Sequence, residues 1–576
     1  MDSKNKEFRA EDNVNRNNSS REPGEWKAAR LIDERTGNSY VGIDFPRRQR
    51  GPGFESFDDD LIDQPKRIRD FLKKRGAVIV GSKDDQIQFV RRLIRKMPPD
   101  VVTLAMKPGM RGKDGFVLGN RTFGSAKGRY RWKSQSESHS RGELGDRRGD
   151  RDDWNRDVGE VALKSTPLTF GLCLSLACPL PSYVLANRRV RLLSETAVFN
   201  LSGESGSGKT SIVRAAAGLF GPPDLIGKWD FTRRGLEEYS ESRNDLLAVL
   251  DDLETHTEEA SSRKTALLHI NQVITSGQSK IISSHADLPL LSWTMFGLTS
   301  SPKGIDEIAE QLGWKRTDGH RARLPDIPIP QVANAGIFDG LEGDAMEKIE
   351  EGKRLIARLD AGVTQNYGLV MPRWLKFLVY EDRSDLLLRL TDSFLKRVLS
   401  NGDGFDERYA RKFAVPAVAG QLAAQHGIVP WPKQWPVVAV EKCYHLSLKT
   451  VRNEAAVADK KIKLIAMLAE NADRFIPAKS GQNKPVRFDD NTLGVRTDYQ
   501  GQKVLAIRDN ALDTFAGSSV IAGLIIDQLR AKKCLVGGQG HAGTTQLSIP
   551  IVFGDRTVSK PRFWIIDPKR LHDATL

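Results

Sequence analysis

Cysteine is scarce in this chain: four in 576 residues, at 173, 178, 443 and 534. Those intervals have neither the density of a disulfide scaffold nor the pairing of a zinc site, so a reducing, cytoplasmic setting is expected. Histidine is also sparse, nine in all, and no cluster of His and Cys has metal-ligand spacing. The first 190 residues lack paired carboxylates at alternating strand positions, which argues against nuclease or primase chemistry there. An apolar leader is missing too. The opening MDSKNKEFRAEDNVNRNNSSREPGE is polar throughout and predicts a disordered tail over 1–24. The most apolar run, Pro167 to Leu185, is interrupted by Pro179 and Pro181, so it predicts a buried helix ending at the prolines rather than a membrane span.

What is present in excess is positive charge. Lysine and arginine outnumber aspartate and glutamate by 88 to 74, a net +14, which favours a polyanionic partner.

The most informative stretch is 197–217, AVFNLSGESGSGKTSIVRAAA. An apolar run predicts a buried strand, a glycine-rich turn follows, and Ile212, Val213 and the alanines at 215–217 predict a buried helix face. Gly203, Gly208, Lys209 and Thr210 fit G-x-x-x-x-G-K-[ST], with Gly206 as a third glycine. Backbone N–H groups of Gly203, Glu204, Ser205, Gly206, Ser207 and Gly208 can then turn inward around the phosphates of ATP without side-chain clash. Lys209 is expected to reach the β- and γ-phosphates and Thr210 to ligand Mg²⁺. The helix N-terminus adds partial positive charge at the same point.

Forty-two residues after Lys209, the run LLAVLDD brings Asp251 and Asp252 to the carboxyl end of a predicted strand. This is the pattern of a Walker B motif. Asp251 is expected to share the Mg²⁺ shell with Thr210, and Asp252 to polarise an attacking water, with Glu254 as the alternative. A third apolar run, Leu291 to Leu298, ends in Thr299, Ser300 and Ser301, which points to Thr299 as a γ-phosphate sensor, or Lys303. In GHRARLPDIPIP, Arg321 and Arg323 precede a predicted strand, where one arginine can act as a finger across a subunit interface.

Around this core, 25–120 predicts an α+β domain, with a hairpin across 34–38 and two amphipathic helices at 66–74 and 84–96. The second helix ends in Arg91, Arg92, Arg95 and Lys96, which suit its dipole as well as a nucleic acid. Residues 121–157, rich in Arg, Ser, Gly and Asp, predict a flexible basic linker or loop, with Tyr130 and Trp132 as candidates for base stacking. The core spans 158–345, a helical lid 346–475, and 476–576 predicts a helix from Ser519 to Lys533 followed by a two-stranded wing, a winged-helix-like domain. The fold class is an α/β P-loop NTPase with these additions.

Laid out this way, the chain resembles the domain of unknown function 927 family, helicase-like P-loop proteins of phages, plasmids and integrated elements. The likeness runs from about Trp26 onward through FNLSGESGSGKTSIVRAAAGLFG, KWDFTRRGLEEYSESRNDLLAVLDDLE, SGQSKIIS, GHRARLPDIPI, AGIFDGL, QNYG and RKFAVPAVAGQLAAQHGIVPWP. It implies an additional-strand oligomeric ATPase core, AAA+-like and similar to superfamily 3 helicases, working on DNA as a homo-oligomeric ring, hexameric in the simplest case; since the residues offer no primase constellation, priming is expected of separate primase or replication proteins. By position it implies that Lys209, Thr210, Asp251 and Asp252 form the nucleotide site and that Arg323 is the finger. Trp229, Thr232, Glu237, Asn244 and Asp245 match family positions without an assigned role. Two departures stand out. The family has D-E at Asp251-Asp252 and S-T-G-E at Thr299-Ser300-Ser301-Pro302. The first keeps a second reading open, a nucleotide-gated assembly or defence switch that does not unwind DNA.

Overall fold

The computed structural model describes residues 25–573 apart from 48–52, 120, 133–142, 194–195, 228–230, 252–264, 266, 280–289, 313, 315, 331–334, 400–403, 453–471, 490, 509–510, 513–524, 527–528, 531–532, 537–543, 554–555 and 559–561. The 1–24 tail, Trp229, Asp252, Glu254 and most of Ser519–Lys533 therefore lie outside the described residues. The chain divides into two compact units, Met1–Ser447 and Leu448–Leu576.

The first unit begins with a sheet of order β3-β2-β1-β4-β8. Its strands are β1 (Lys27–Asp33), β2 (Ser39–Phe45), β3 (Gly53–Asp58), β4 (Val101–Ala105) and β8 (Tyr130–Trp132). β1 and β2 form the expected hairpin, and β1 pairs in parallel with β4. Helices α1 (Pro65–Lys74) and α2 (Lys83–Arg95) bury Ile68, Leu72, Val90 and Ile94 against it. Ser82 starts α2 because its hydroxyl accepts from Asp85 N–H while Asp85 reciprocates. A second sheet joins β5 (Gly109–Arg111), β6 (Gly115–Leu118) and β7 (Arg121–Gly124).

The expected linker over 121–157 is corrected for its described residues; 133–142 lie outside them. Residues 121–124 and 130–132 are strands, 151–162 are helical, and Phe123, Ala126, Trp132, Leu144 and Trp154 are buried. Polar composition misled because a few widely spaced apolar anchors suffice to fix a polar segment. Trp132, proposed for base stacking, is part of that core, while Tyr130 is half-buried under the Arg111 guanidinium.

Behind these sheets, α3 (Thr166–Ala177) and α4 (Leu180–Arg188) replace the single apolar run. Thr166–Arg188 is long and apolar enough for a membrane span by length and composition, yet it lies mostly buried inside the protein. Every residue of α3 is buried. It packs on α5 (Lys209–Ala217) and on α12 (Gly404–Gln425), and its Phe170 meets Phe199 and Phe413 edge to face or tilted.

The central sheet is parallel, of order β10-β11-β9-β12, from β9 (Val198–Ser202), β10 (Ala248–Leu250), β11 (Gly297–Ser301) and β12 (Asp326–Pro328). Helix α6 (Arg233–Ser242) precedes β10, and α7 (Ile305–Gln311) and α8 (Asp318–Arg323) lie between β11 and β12. Then come α9 (Ala345–Gln365), α10 (Met371–Tyr380), α11 (Ser384–Val398), α12 and α13 (Trp435–Arg452).

A buried polar joint ties the N-terminal sheets to this core. Arg35 pairs with buried Glu241 at 3.0 Å, and Asn244 donates to Pro108 O at 2.8 Å. Asp245 accepts from Met110 N–H at 2.9 Å and from the Ser182 hydroxyl at 2.5 Å. Burial pushes the Asp245 carboxyl up to about 6, against the pull of those two hydrogen bonds and of Lys107. A carboxyl whose pKa rises on folding contributes stability that is full below its unfolded value and lost as pH rises through the folded one. The window is therefore about pH 4 to 6, and a shift of about 2 units corresponds to about 3 kcal/mol. Asp245→Asn keeps an acceptor for Met110 and a donor towards Ser182. Urea unfolding of this variant should lose about 3 kcal/mol less than wild type between pH 4 and 7; an unchanged pH dependence would refute this.

In the second unit, β13 (Phe475–Pro477), β15 (Gly494–Tyr499), β16 (Gln502–Arg508), β17 (Thr545–Gln546) and β20 (Arg562–Ile566) form a sheet of order β13-β15-β16-β20-β17. β14 (Val486–Phe488), β18 (Ile551–Phe553) and β19 (Arg556–Val558) form another, and α14 (Pro568–Asp573) ends the described chain. The expected helix over Ser519–Lys533 lies mostly outside the described residues, and in place of the expected two-stranded wing the unit has these two larger sheets. The parallel pairs β13/β15 and β14/β18 join segments 19 and 65 residues apart, Phe475 with Gly494 and Val486 with Ile551, which no local pattern announces.

Candidate nucleotide site

β9 is buried along its whole length and delivers the chain to the glycine-rich loop. Gly203, Gly206 and Gly208 have φ of +156°, +82° and +95°. The latter two lie in the left-handed region that L side chains avoid. Space also decides at Gly208, where a Cβ would stand 2.6 Å from Ile356 of α9. The loop's start is held by Gly203 N–H donating to Ser301 O at 3.2 Å.

Lys209 begins α5 and is buried. Its ammonium donates to Gly203 O and Glu204 O, both at 2.7 Å, and to the Ser207 hydroxyl at 3.3 Å. The cation thus sits inside its own loop. Glu204, Ser205, Gly206 and Thr210 are exposed.

Across β11 stands Asp251, at the carboxyl end of β10. It accepts a hydrogen bond from the Ser300 hydroxyl at 2.7 Å. Lys209, Thr210, Asp251 and Ser300 line one cavity of about 490 Å³ with Gly206 and Ile356. A carboxylate and two hydroxyls there are hard oxygen donors of the kind Mg²⁺ takes, and an inward-curling glycine loop beside them suits phosphate.

Thr299 does not line this cavity. Its hydroxyl is buried without a hydrogen-bond partner, on the opposite side of β11 from the Ser300 hydroxyl. Side chains alternate along a strand, so a one-residue error in placing β11 exchanges the sensor candidate for its neighbour. Ser300 is the residue that sequence reasoning passed over, and its hydroxyl in the T-S-S run was the available signal. Lys303 points to Glu307 at 3.6 Å instead.

Arg323 ends α8, half-buried, and is not among the residues lining the cavity of its own chain. Arg321 is paired with Asp306 and Asp318. Below α8, Asp326 accepts from Asn200 at 2.6 Å and from Ile305 N–H at 2.8 Å, tying β9, β12 and the start of α7 together. Burial pushes its carboxyl to about 6.

The unassigned positions fall mostly on structural duties. Thr232 caps α6, Glu237 is buried against Arg233 and Arg234, and Asn244 and Asp245 form the joint described above. Among the described residues no group of His, Cys, Asp and Glu could by itself hold a metal.

Residues 28–287 match the sequence model of the family described as Domain of unknown function (DUF927), a stretch that includes the glycine-rich loop and Asp251. Among solved structures, the chain is similar to one described as "SCCmec type IV Cch - active helicase", with a TM-score of 0.57 and 16% identity over 96% of this chain and 95% of that one. At that identity the likeness speaks for the fold alone. No curated protein matches the chain.

Proposed function

We propose that this helicase-like α/β protein is an ATPase that drives movement on, or unwinding of, DNA for a mobile genetic element, acting in the cytoplasm as an oligomer. One observation carries the reading. The lysine of a phosphate-type loop and the carboxylate of a neighbouring strand end face one cavity, separated by a single intervening strand. That strand order is the arrangement of additional-strand ATPases, and the helicase-like fold over nearly the whole chain agrees with it.

ATP would lie in the loop of Gly203, Glu204, Ser205, Gly206, Ser207 and Gly208, with Lys209 turned from the loop carbonyls towards the phosphates. Thr210 and Asp251 would hold Mg²⁺, which neutralises phosphate charge when bound. Ser300 holds the Asp251 carboxylate in place at 2.7 Å. Asp252, next in sequence, would orient water, and Arg323 of a neighbouring copy would stabilise the developing charge. Helices from α9 onward would close on the site and pass its state to DNA-facing surfaces.

The test is ATP turnover by the purified protein with and without single-stranded DNA across a salt series, followed by strand displacement. Turnover should rise with DNA, and the stimulation should weaken steeply with salt. Turnover indifferent to DNA would discard the motor and leave a nucleotide-gated switch.

A further inference from the structure

A second guanidinium stands beside that of Arg323. Gly319 lies one turn before Arg323 on α8, and the point where a Cβ on Gly319 would stand is 3.8 Å from Arg323 Nη1 and 4.0 Å from Arg408 Nη2. The two nitrogens are therefore within about 8 Å of each other, across a residue with no side chain to fill the gap. A phosphoryl group with a hydrogen bond of about 2.8 Å on either side spans about 8 Å. Gly319, Arg323 and Arg408 are each half-buried, so the notch is open to a second molecule, and none of the three lines the nucleotide cavity of its own chain.

The fold sets this pairing. Arg408 belongs to α12, which packs against α8. The next residue, Tyr409, is fully buried, and its hydroxyl shares a hydrogen bond of 2.6 Å with that of Ser447, which donates to Asp326 O at 2.5 Å. The start of α12 is thereby tied to β12, the strand that α8 leads into. On the other side, buried Arg316 donates to Leu324 O at 2.6 Å and to His320 O at 3.3 Å, fixing the end of α8 around Arg323. Burial, and then the charges of Arg316 and Arg323, hold the His320 imidazole below its ordinary value.

The surroundings indicate what kind of anion fits. Asp318 and Glu407, next in sequence to Gly319 and Arg408, are exposed carboxylates, paired with Arg321 and Arg411. A long polyanion would have to run past them, whereas a compact phosphoryl group need meet only the two guanidiniums.

We infer that Arg408 is a second catalytic arginine, acting with Arg323 on the terminal phosphate of ATP held in the cavity of a neighbouring copy. As the bond from water oxygen to the γ-phosphorus forms and the bond to the β–γ bridging oxygen breaks, ADP and phosphate leave and a proton passes to solvent. Both guanidiniums donate to the oxygens of the transferring group and share its developing charge. The inference rests on the ATPase reading and completes that site in trans.

The experiment is steady-state ATP turnover by the full-length protein, with thermal unfolding alongside. Arg408→Ala should lower kcat about 100-fold with KM for ATP within threefold, since its own cavity is untouched. Arg408→Gln, which keeps most of the side chain's length, should do the same and serves if the alanine variant does not fold. The deciding sample is a mixed oligomer of Arg408→Ala and Lys209→Ala chains, co-expressed under two tags and purified through both. About one interface in four then joins an intact loop to intact arginines, so turnover should return to about a quarter of wild type. A mixed oligomer no more active than its two parents would overturn the inference. So would loss of DNA-stimulated turnover alone with the basal rate unchanged, which would assign Arg408 to a DNA phosphate. Arg323→Ala with Lys209→Ala, prepared likewise, separates the readings. Recovery there and none for Arg408 discards the inference and keeps the finger, while no recovery in either pair discards both. No turnover by wild type discards the ATPase reading, and the inference with it.

Discussion

Lys209→Ala should lower ATP turnover by about 10³-fold, with DNA present or absent. Two losses combine. The ammonium is the buried cation of the cavity, and preorganised charge aimed at a transferring phosphoryl group contributes about 10²–10³ or more in rate. It is also the group that gathers Gly203 O, Glu204 O and Ser207 Oγ, so without it the loop loses the contacts that hold its curl. Lys209→Arg should not rescue, because a planar guanidinium cannot reproduce three bonds converging on one nitrogen in a buried site. The check is steady-state phosphate release with thermal unfolding measured alongside. Turnover within tenfold of wild type in a folded Lys209→Ala protein would remove this cavity from the mechanism.

Gly109→Ala should destabilise the first unit by about 4 kcal/mol. Gly109 has φ of +123°, and a Cβ there would lie 2.4 Å from both Asn244 Nδ2 and Asp245 Oδ2. The backbone strain alone costs about 1–2 kcal/mol. Pushing the two side chains away breaks the bonds from Asn244 to Pro108 O and from Met110 to Asp245, and each buried group left unpaired costs about 1–3 kcal/mol. Because the joint holds N-terminal sheets to the central core, the loss should appear first as proteolytic cleavage between them, before the core itself unfolds. A urea midpoint and a digestion pattern indistinguishable from wild type would show that the joint is not what fixes these sheets.

These two sites differ in how readily they could be read from sequence. The Lys209 loop was legible because its requirement is local: three glycines, a lysine and a hydroxyl within eight residues, between a buried strand and a buried helix face. Asp251 was legible for the same reason, as the end of an apolar run. Ser300 was missed by one position, since a run of three hydroxyl residues does not reveal which face of β11 each will occupy until the strand's register is fixed by β9 and β10. The duties of Asn244 and Asp245 were invisible because their partners, Pro108 and Met110, lie about 135 residues earlier. Composition misjudged 121–157 because Trp132, Leu144 and Trp154 are single apolar residues in polar surroundings, with no periodicity to mark them. The two sheets of the C-terminal unit were not foreseen for a related reason: their parallel pairings are non-local, and what remained in sequence was an order of elements that several small folds share.

The position of β11 between β9 and β10 has a metric consequence. Neighbouring strands are about 4.8 Å apart, so the loop's strand and the strand of Asp251 stand about 10 Å apart, two ladder steps. Side-chain substitution can change what lines the cleft between their ends, but its width is counted in strands. The backbone hydrogen bonds of three buried strands therefore act as the ruler of the site, and hold its dimension whatever evolution does to the residues facing it.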